Sequence, residues 1–140
     1  MSTERVTFEG SRGARLAARL ELPSRGEPSA WVLFAHCFTC SKNLKAAVTL
    51  TRGLCGEGMG VLRFDFTGLG ESGGDFADTN FSSNVEDLVR AAGWMAEERE
   101  SPQLLVGHSL GGAAVVHAAH RIDSVRAVAT LGAPAEPSHV

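Results

Sequence analysis

One short string constrains this chain more than any other: Gly107-His108-Ser109-Leu110-Gly111. It follows Gln103 and the apolar run Leu104-Leu105-Val106, themselves preceded by Pro102. It precedes a stretch of helical character from about Ser109 to Arg121. A short continuous apolar run suits a strand buried on both faces, as in a parallel sheet. G-x-S-x-G at the junction of such a strand with a helix makes a sharp turn that lifts the serine hydroxyl clear of the sheet. Glycines two before and two after leave no side chain where strand and helix crowd together. The next residue, Leu110, presents its backbone N–H at a helix N-terminus, where it can stabilise a developing oxyanion. The pattern predicts Ser109 as a nucleophile, Leu110 N–H as an oxyanion donor, and Gly107, His108 and Gly111 as the supporting turn. Gly112, Ala113, Ala114, Ala118 and Ala119 give the following helix a small-residue surface for close packing.

The rest of the chain alternates strands with helices, the signature of βαβ units around a parallel sheet. Strands are predicted near Val6–Glu9 and Arg15–Leu22, paired antiparallel across the turn Gly10-Ser11-Arg12-Gly13. Further strands are expected at Trp31–Ala35, Gly60–Phe66, Gln103–Gly107 and Val125–Leu131. Leu44, Ala47, Val48, Leu50 and Leu54 recur at helical spacing and stop at Gly56. Ser83 and Glu86 stand at capping-box spacing and open a helix to about Arg99. No linker, repeat or second domain is evident, so residues 1–140 read as part of one domain.

Composition narrows the class. The 140 residues are 44% apolar and 21% charged with a net charge of −3, which excludes a disordered chain. The mildly acidic balance gives no footprint for nucleic acid or an anionic membrane surface. No apolar run approaches the roughly 18 residues of a membrane span. The N-terminus lacks the profile of a secretory signal, and three cysteines do not form a disulfide framework. A reducing cytoplasm is the expected location. No cofactor or metal is expected.

Two more motifs flank the strands. His36-Cys37-Phe38-Thr39 follows the first parallel strand. Acyl-transfer sites usually draw a second oxyanion donor from this loop, which makes Phe38 N–H the candidate. His36 is expected to order the loop by hydrogen bonds. Cys37-Phe38-Thr39-Cys40 also has C-x-x-C spacing, so a thiol-redox or metal role competes for the same segment. A metal site normally needs four ligands, and no second C-x-x-C exists. Cys55 reads as a small core residue. The third motif, Asp65-Phe66-Thr67-Gly68-Leu69-Gly70-Glu71-Ser72, is glycine-rich. It lacks the spacing of a phosphate cradle. Asp65 and Ser72 are expected to bind the loop's own amides, with Asp75 and Asp78 as solvated acids that cap the next helix.

Together the three motifs resemble the α/β-hydrolase superfamily, in its usual order and over nearly the whole chain. The strings HCFTCSKNL (36–44), LRFDFTGLGESGGDFADTNFSSNVEDL (62–88), GHSLGGAA (107–114) and RAVATLGAPAEPSHV (126–140) are similar to the hydrolase half of bifunctional α/β-hydrolase/OsmC fusion proteins. The resemblance implies an α/β fold with a mostly parallel sheet and an N-terminal antiparallel pair. It further implies a small-molecule acyl substrate and, in the full protein, an OsmC-like partner domain. Ser109 matches the family's nucleophile, and Leu110 and Phe38 match its oxyanion positions.

A serine hydroxyl needs a base, usually a histidine oriented by a carboxylate. In this fold both follow the nucleophile in sequence, which excludes Asp65 as the acid. His117 and His120 lie on the helix leaving Ser109, and His139 and Glu136 close the chain. None is placed to act, and the strand count falls short of the superfamily's usual sheet. The sequence therefore reads as an N-terminal portion whose C-terminal strands, triad acid and histidine lie beyond residue 140. Its last strand is then expected to be an unprotected edge. A non-catalytic module that keeps the turn as architecture is the alternative.

Overall fold

Period-2 and continuous apolar runs become a single six-stranded sheet in the computed structural model, which describes residues 1–36 and 42–134. The strands are β1 (Ser2–Glu9), β2 (Arg15–Leu22), β3 (Ala30–Ala35), β4 (Met59–Phe64), β5 (Leu104–His108) and β6 (Ala127–Leu131). The helices are α1 (Lys45–Gly56), α2 (Phe81–Glu98) and α3 (Leu110–Ala118). The strand order is β1-β2-β4-β3-β5-β6. β2 pairs antiparallel with both β1 and β4, and the β4-β3-β5-β6 ladder is parallel. The expected mostly parallel sheet with an antiparallel N-terminal pair is therefore what the chain forms.

Alternation along the central strands sorts the core into two faces. Leu33, Leu62, Phe64 and Leu105 point to the face covered by α2 and α3, where Leu88, Met95 and Ala114 meet them. Val32, Phe34, Val61 and Val106 point to the other face, where Ala47 and Cys55 of α1 pack. Cys55 is thus a core residue, and burial pushes its thiol pKa up. β6 occupies one edge of the sheet and all its residues are exposed. No helix among the described residues is long and apolar enough to cross a membrane.

Several boundaries differ from the sequence reading: β1 starts at Ser2 rather than Val6, β4 ends at Phe64 rather than Phe66, and β6 starts at Ala127 rather than Val125. The helix expected from Ser83 begins at Phe81, and its cap is Asn80, not Ser83. The Asn80 side chain accepts from Ser83 N while Ser83 Oγ accepts from Asn80 N, a capping box one turn earlier than the Ser83–Glu86 spacing implied. Asp75 does cap, but its helix is a single 3-10 turn, Phe76–Asp78. The helix after Ser109 runs to Ala118 and tightens into a 3-10 turn, Ala119–Arg121.

Leu33 lies in the strand that bridges β4 and β5 and is fully buried. Leu33→Ala is expected to cost about 2–5 kcal/mol of unfolding free energy, against under about 0.5 kcal/mol for Val116→Ser on the exposed side of α3. Urea denaturation of the two variants checks this contrast.

Candidate active site

Parallel pairing aligns the ends of the central strands: Ala35 stands opposite Phe64 on one side and Gly107 on the other. The segments that follow β3, β4 and β5 therefore emerge at one edge, the place where open α/β sheets bind ligands. Ser109 is there, with φ 56° and ψ −123°. It is the one non-glycine residue with positive φ among the described residues. A side chain in that region costs on the order of 1–3 kcal/mol and persists only where its surroundings enforce it.

The surroundings are steric. A Cβ on Gly107 would lie 2.5 Å from Gly111 O and from Gly112 Cα. A Cβ on Gly111 would overlap the carbonyl oxygens of His36 and Ala35. Both positions therefore need glycine, as the sequence spacing implied, and the contact at Gly111 seats the turn against the end of β3. Ser109 N donates to Leu131 O at 2.7 Å, which ties the turn to β6 as well. Ser109 O accepts from Gly112 N at 2.9 Å and begins α3. Leu110 is the first residue of α3, where N–H groups have no carbonyl one turn back to meet. Ser109 and Leu110 are half-buried and within reach of a ligand, and His108 is half-buried beside them.

His36 is buried, with its ring edge-on to Phe66 at a centroid distance of 5.2 Å. Its Nε2 lies 3.6 Å from Asp65 Oδ1. Asp65, fully buried, binds more than its own loop. It accepts from Glu71 N at 2.9 Å, as expected of a loop-ordering residue. It also accepts from Lys42 N at 2.7 Å and from Lys42 Nζ at 2.6 Å. Lys42 Nζ donates in turn to Glu71 Oε1 at 2.6 Å. Arg63 donates to Lys42 O at 2.6 Å and to Glu21 Oε1 at 2.7 Å. Sequence reasoning missed Lys42 and Arg63. A lone lysine in a polar loop has the signature of a solvated side chain, and only its enclosure reveals the pair. Ser72 Oγ donates to Asp65 O and accepts from Ala17 N, so it pins the glycine-rich loop to β2.

Phe38, Cys37, Cys40, Glu136 and His139 lie outside the described residues. His117 packs its ring against Phe81 at 5.1 Å, on the exposed side of α3. It is carried about 12 Å along the helix axis from Ser109. His120 follows further on. These histidines sit on the helix surface, as their spacing implied.

A family model described as serine aminopeptidase, S33, matches residues 26–139. The chain belongs to this family of hydrolases. The rat mitochondrial palmitoyl-protein thioesterase ABHD10 is 33% identical over 88 residues, which are 63% of this chain and 29% of that protein. The crystal structure of an esterase domain from a Rhodothermus marinus protein superposes with a TM-score of 0.81 at 54% identity, covering 100% of this chain and 54% of that one. Mouse α/β-hydrolase domain-containing protein 10 superposes with a TM-score of 0.75 at 26% identity, covering 91% of this chain and 48% of that one. The chain is thus an α/β-hydrolase domain of the serine-hydrolase type and spans less than two thirds of the length of each of these relatives.

Glu71 gives the site a pH signature. The Lys42 ammonium that donates to its carboxylate, helped by Arg19, holds its pKa below the ordinary value of 4.5. A lowered folded value stabilises above the unfolded one and is lost as pH falls through the folded one. Glu71→Gln is therefore expected to lower stability at neutral pH, with a deficit that begins to shrink as pH falls below 4.5, is gone only below the lowered folded value, and is smaller in high salt because the side chain is exposed. Thermal melts of both proteins between acid and neutral pH measure it.

Proposed function

We propose that this chain carries the nucleophile and oxyanion donors of a carboxylic ester or thioester hydrolase. The observation that carries the reading is Ser109 in a positive-φ turn between β5 and α3, hemmed by Gly107 and Gly111. Its Oγ attacks the acyl carbon, and the carbonyl oxygen becomes an oxyanion. Leu110 N–H and Phe38 N–H hold that charge, each donor of this kind being worth about 2.7–4 kcal/mol. The tetrahedral intermediate collapses with loss of the alcohol or thiol, leaving an acyl-serine. Water then attacks the ester and frees the acid and Ser109.

Both steps need a base that takes the serine or water proton and returns it to the leaving group. His117 on α3 and His120 on the turn after it are carried away from Ser109 by a receding helix, so neither serves as that base. The thioesterase and esterase names of the relatives support an ester or thioester of an acyl group as the substrate class. The likeness of four sequence strings to α/β-hydrolase/OsmC fusions supports an OsmC-like domain as a further partner in the full protein.

Ser109→Ala in the full-length protein is expected to lower p-nitrophenyl ester turnover by three orders of magnitude or more, as loss of a nucleophile does elsewhere. It is also expected to abolish labelling by a fluorophosphonate probe. Full turnover in Ser109→Ala would rule the reading out in favour of a non-catalytic turn.

A further inference from the structure

Glu21, Asp65 and Asp87 are the buried acids among the described residues. Glu21 serves Arg63 and Thr3, and Asp87 accepts from Ser11 N and from Thr67 N and Oγ1. Asp65 is different in what it reaches. It lies against both residues that flank the segment 37–41: His36 on one side and Lys42 on the other.

The Lys42 flank is held at every polar group. Its N–H meets Asp65 Oδ1, its ammonium meets Asp65 Oδ2 and Glu71, and its carbonyl accepts from Arg63. A peptide whose N–H and C=O are both bound to buried charged groups is a fixed point of the backbone. The His36 flank is the surface on which Gly111 rests, since any Cβ there would overlap the His36 carbonyl oxygen. Gly70 completes the arrangement. Its φ of 52° and missing side chain leave the room that the Asp65 carboxylate fills. One carboxylate thus links the exit of β3, the exit of β4 and, through His36, the turn that carries Ser109.

We propose that Asp65 is a positioning residue for acyl transfer at Ser109, fixing through Lys42 and His36 the two flanks of segment 37–41 relative to the Ser109–Leu110 turn. The inference deepens the hydrolase reading and rests on it, because that reading draws the second oxyanion donor from this segment. Asp65 touches no substrate in this role. Both carboxylate oxygens act as acceptors, and an asparagine supplies only one acceptor while turning a donor toward Lys42 or its amide.

The test compares Asp65→Asn with Asp87→Asn in the full-length protein. Asp87 is an equally buried aspartate that contacts neither flank. Asp65→Asn is expected to lower kcat for a p-nitrophenyl ester about 10- to 100-fold, the scale of a misplacement near 1 Å, with KM little changed. Labelling of Ser109 by a fluorophosphonate should slow by a similar factor. Asp87→Asn should lose thermal stability and keep its kcat. Wild-type kcat and labelling rate in folded Asp65→Asn overturn the proposal, as does an equal kcat loss in Asp87→Asn. Should Asp65→Asn not fold, Lys42→Met carries the test: reduced kcat supports the proposal and wild-type kcat overturns it. A wild-type protein that is never labelled at Ser109 defeats the hydrolase reading itself. Labelling of the wild type with unchanged labelling of Asp65→Asn defeats only the positioning role.

Discussion

The close approach of the β5–α3 turn to the end of β3 is the constraint on which the rest depends. Gly111 lies so near the carbonyls of Ala35 and His36 that no side chain fits, and Gly107 lies equally near the start of α3. This crowding keeps Ser109 at positive φ although the conformation is unfavourable for serine. The parallel register supplies the approach, because Ala35 and Gly107 are partners across β3 and β5. Register in turn follows from burial. Sliding β5 by one residue would send Leu105 and Val106 to the wrong faces of a sheet covered on both sides.

Steric crowding fixes the turn but leaves the neighbouring loops undetermined, and there the chain uses buried charge. Lys42 and Asp65 are both fully buried, and removing one partner of such a pair costs about 3–5 kcal/mol. Replacing both with apolar residues is often harmless to stability elsewhere, so a buried pair is weak evidence of stabilisation as such. Its value here is geometric. Apolar side chains pack without direction, whereas this pair binds specific amides of Lys42 and Glu71. The two loops are therefore tied to each other and to β4, while Arg63 and Glu21 extend the same network to β2.

Much of this was legible from residue order. Apolar runs located the central strands, a turn signal located the N-terminal pair, and G-x-S-x-G between a run and a helix located the turn. The spacing of Gly107 and Gly111 foretold the crowding that the structure displays. What escaped was non-local. Asn80 outcompeted the expected cap because its amide reaches Ser83 N, and a capping spacing read from Ser83 and Glu86 alone cannot rank the two. Lys42 and Asp65 are 23 residues apart, and their pairing depends on β3 and β4 being neighbours. No periodicity encodes that. Asp65 accepts from Glu71 N within its own loop, and its second set of partners comes from another loop.

β6 shows how separate core contribution and site contribution can be. It lies at the sheet edge, with every residue exposed, and adds little to either apolar cluster. Its Leu131 carbonyl nevertheless receives the Ser109 N–H, and Thr130 and Ala133 close around Gly112. The Ser109 N–H forms the last rung of the parallel β5–β6 ladder, beside the paired residues His108 and Leu131, and leaving it unbound in a half-buried turn costs about 1–3 kcal/mol. An edge strand offers a free carbonyl at the required place. The Ser109 turn is thus set by packing against β3 on one side and by a single directional bond to β6 on the other. The strand with the least buried surface supplies the one polar contact that the turn cannot provide for itself.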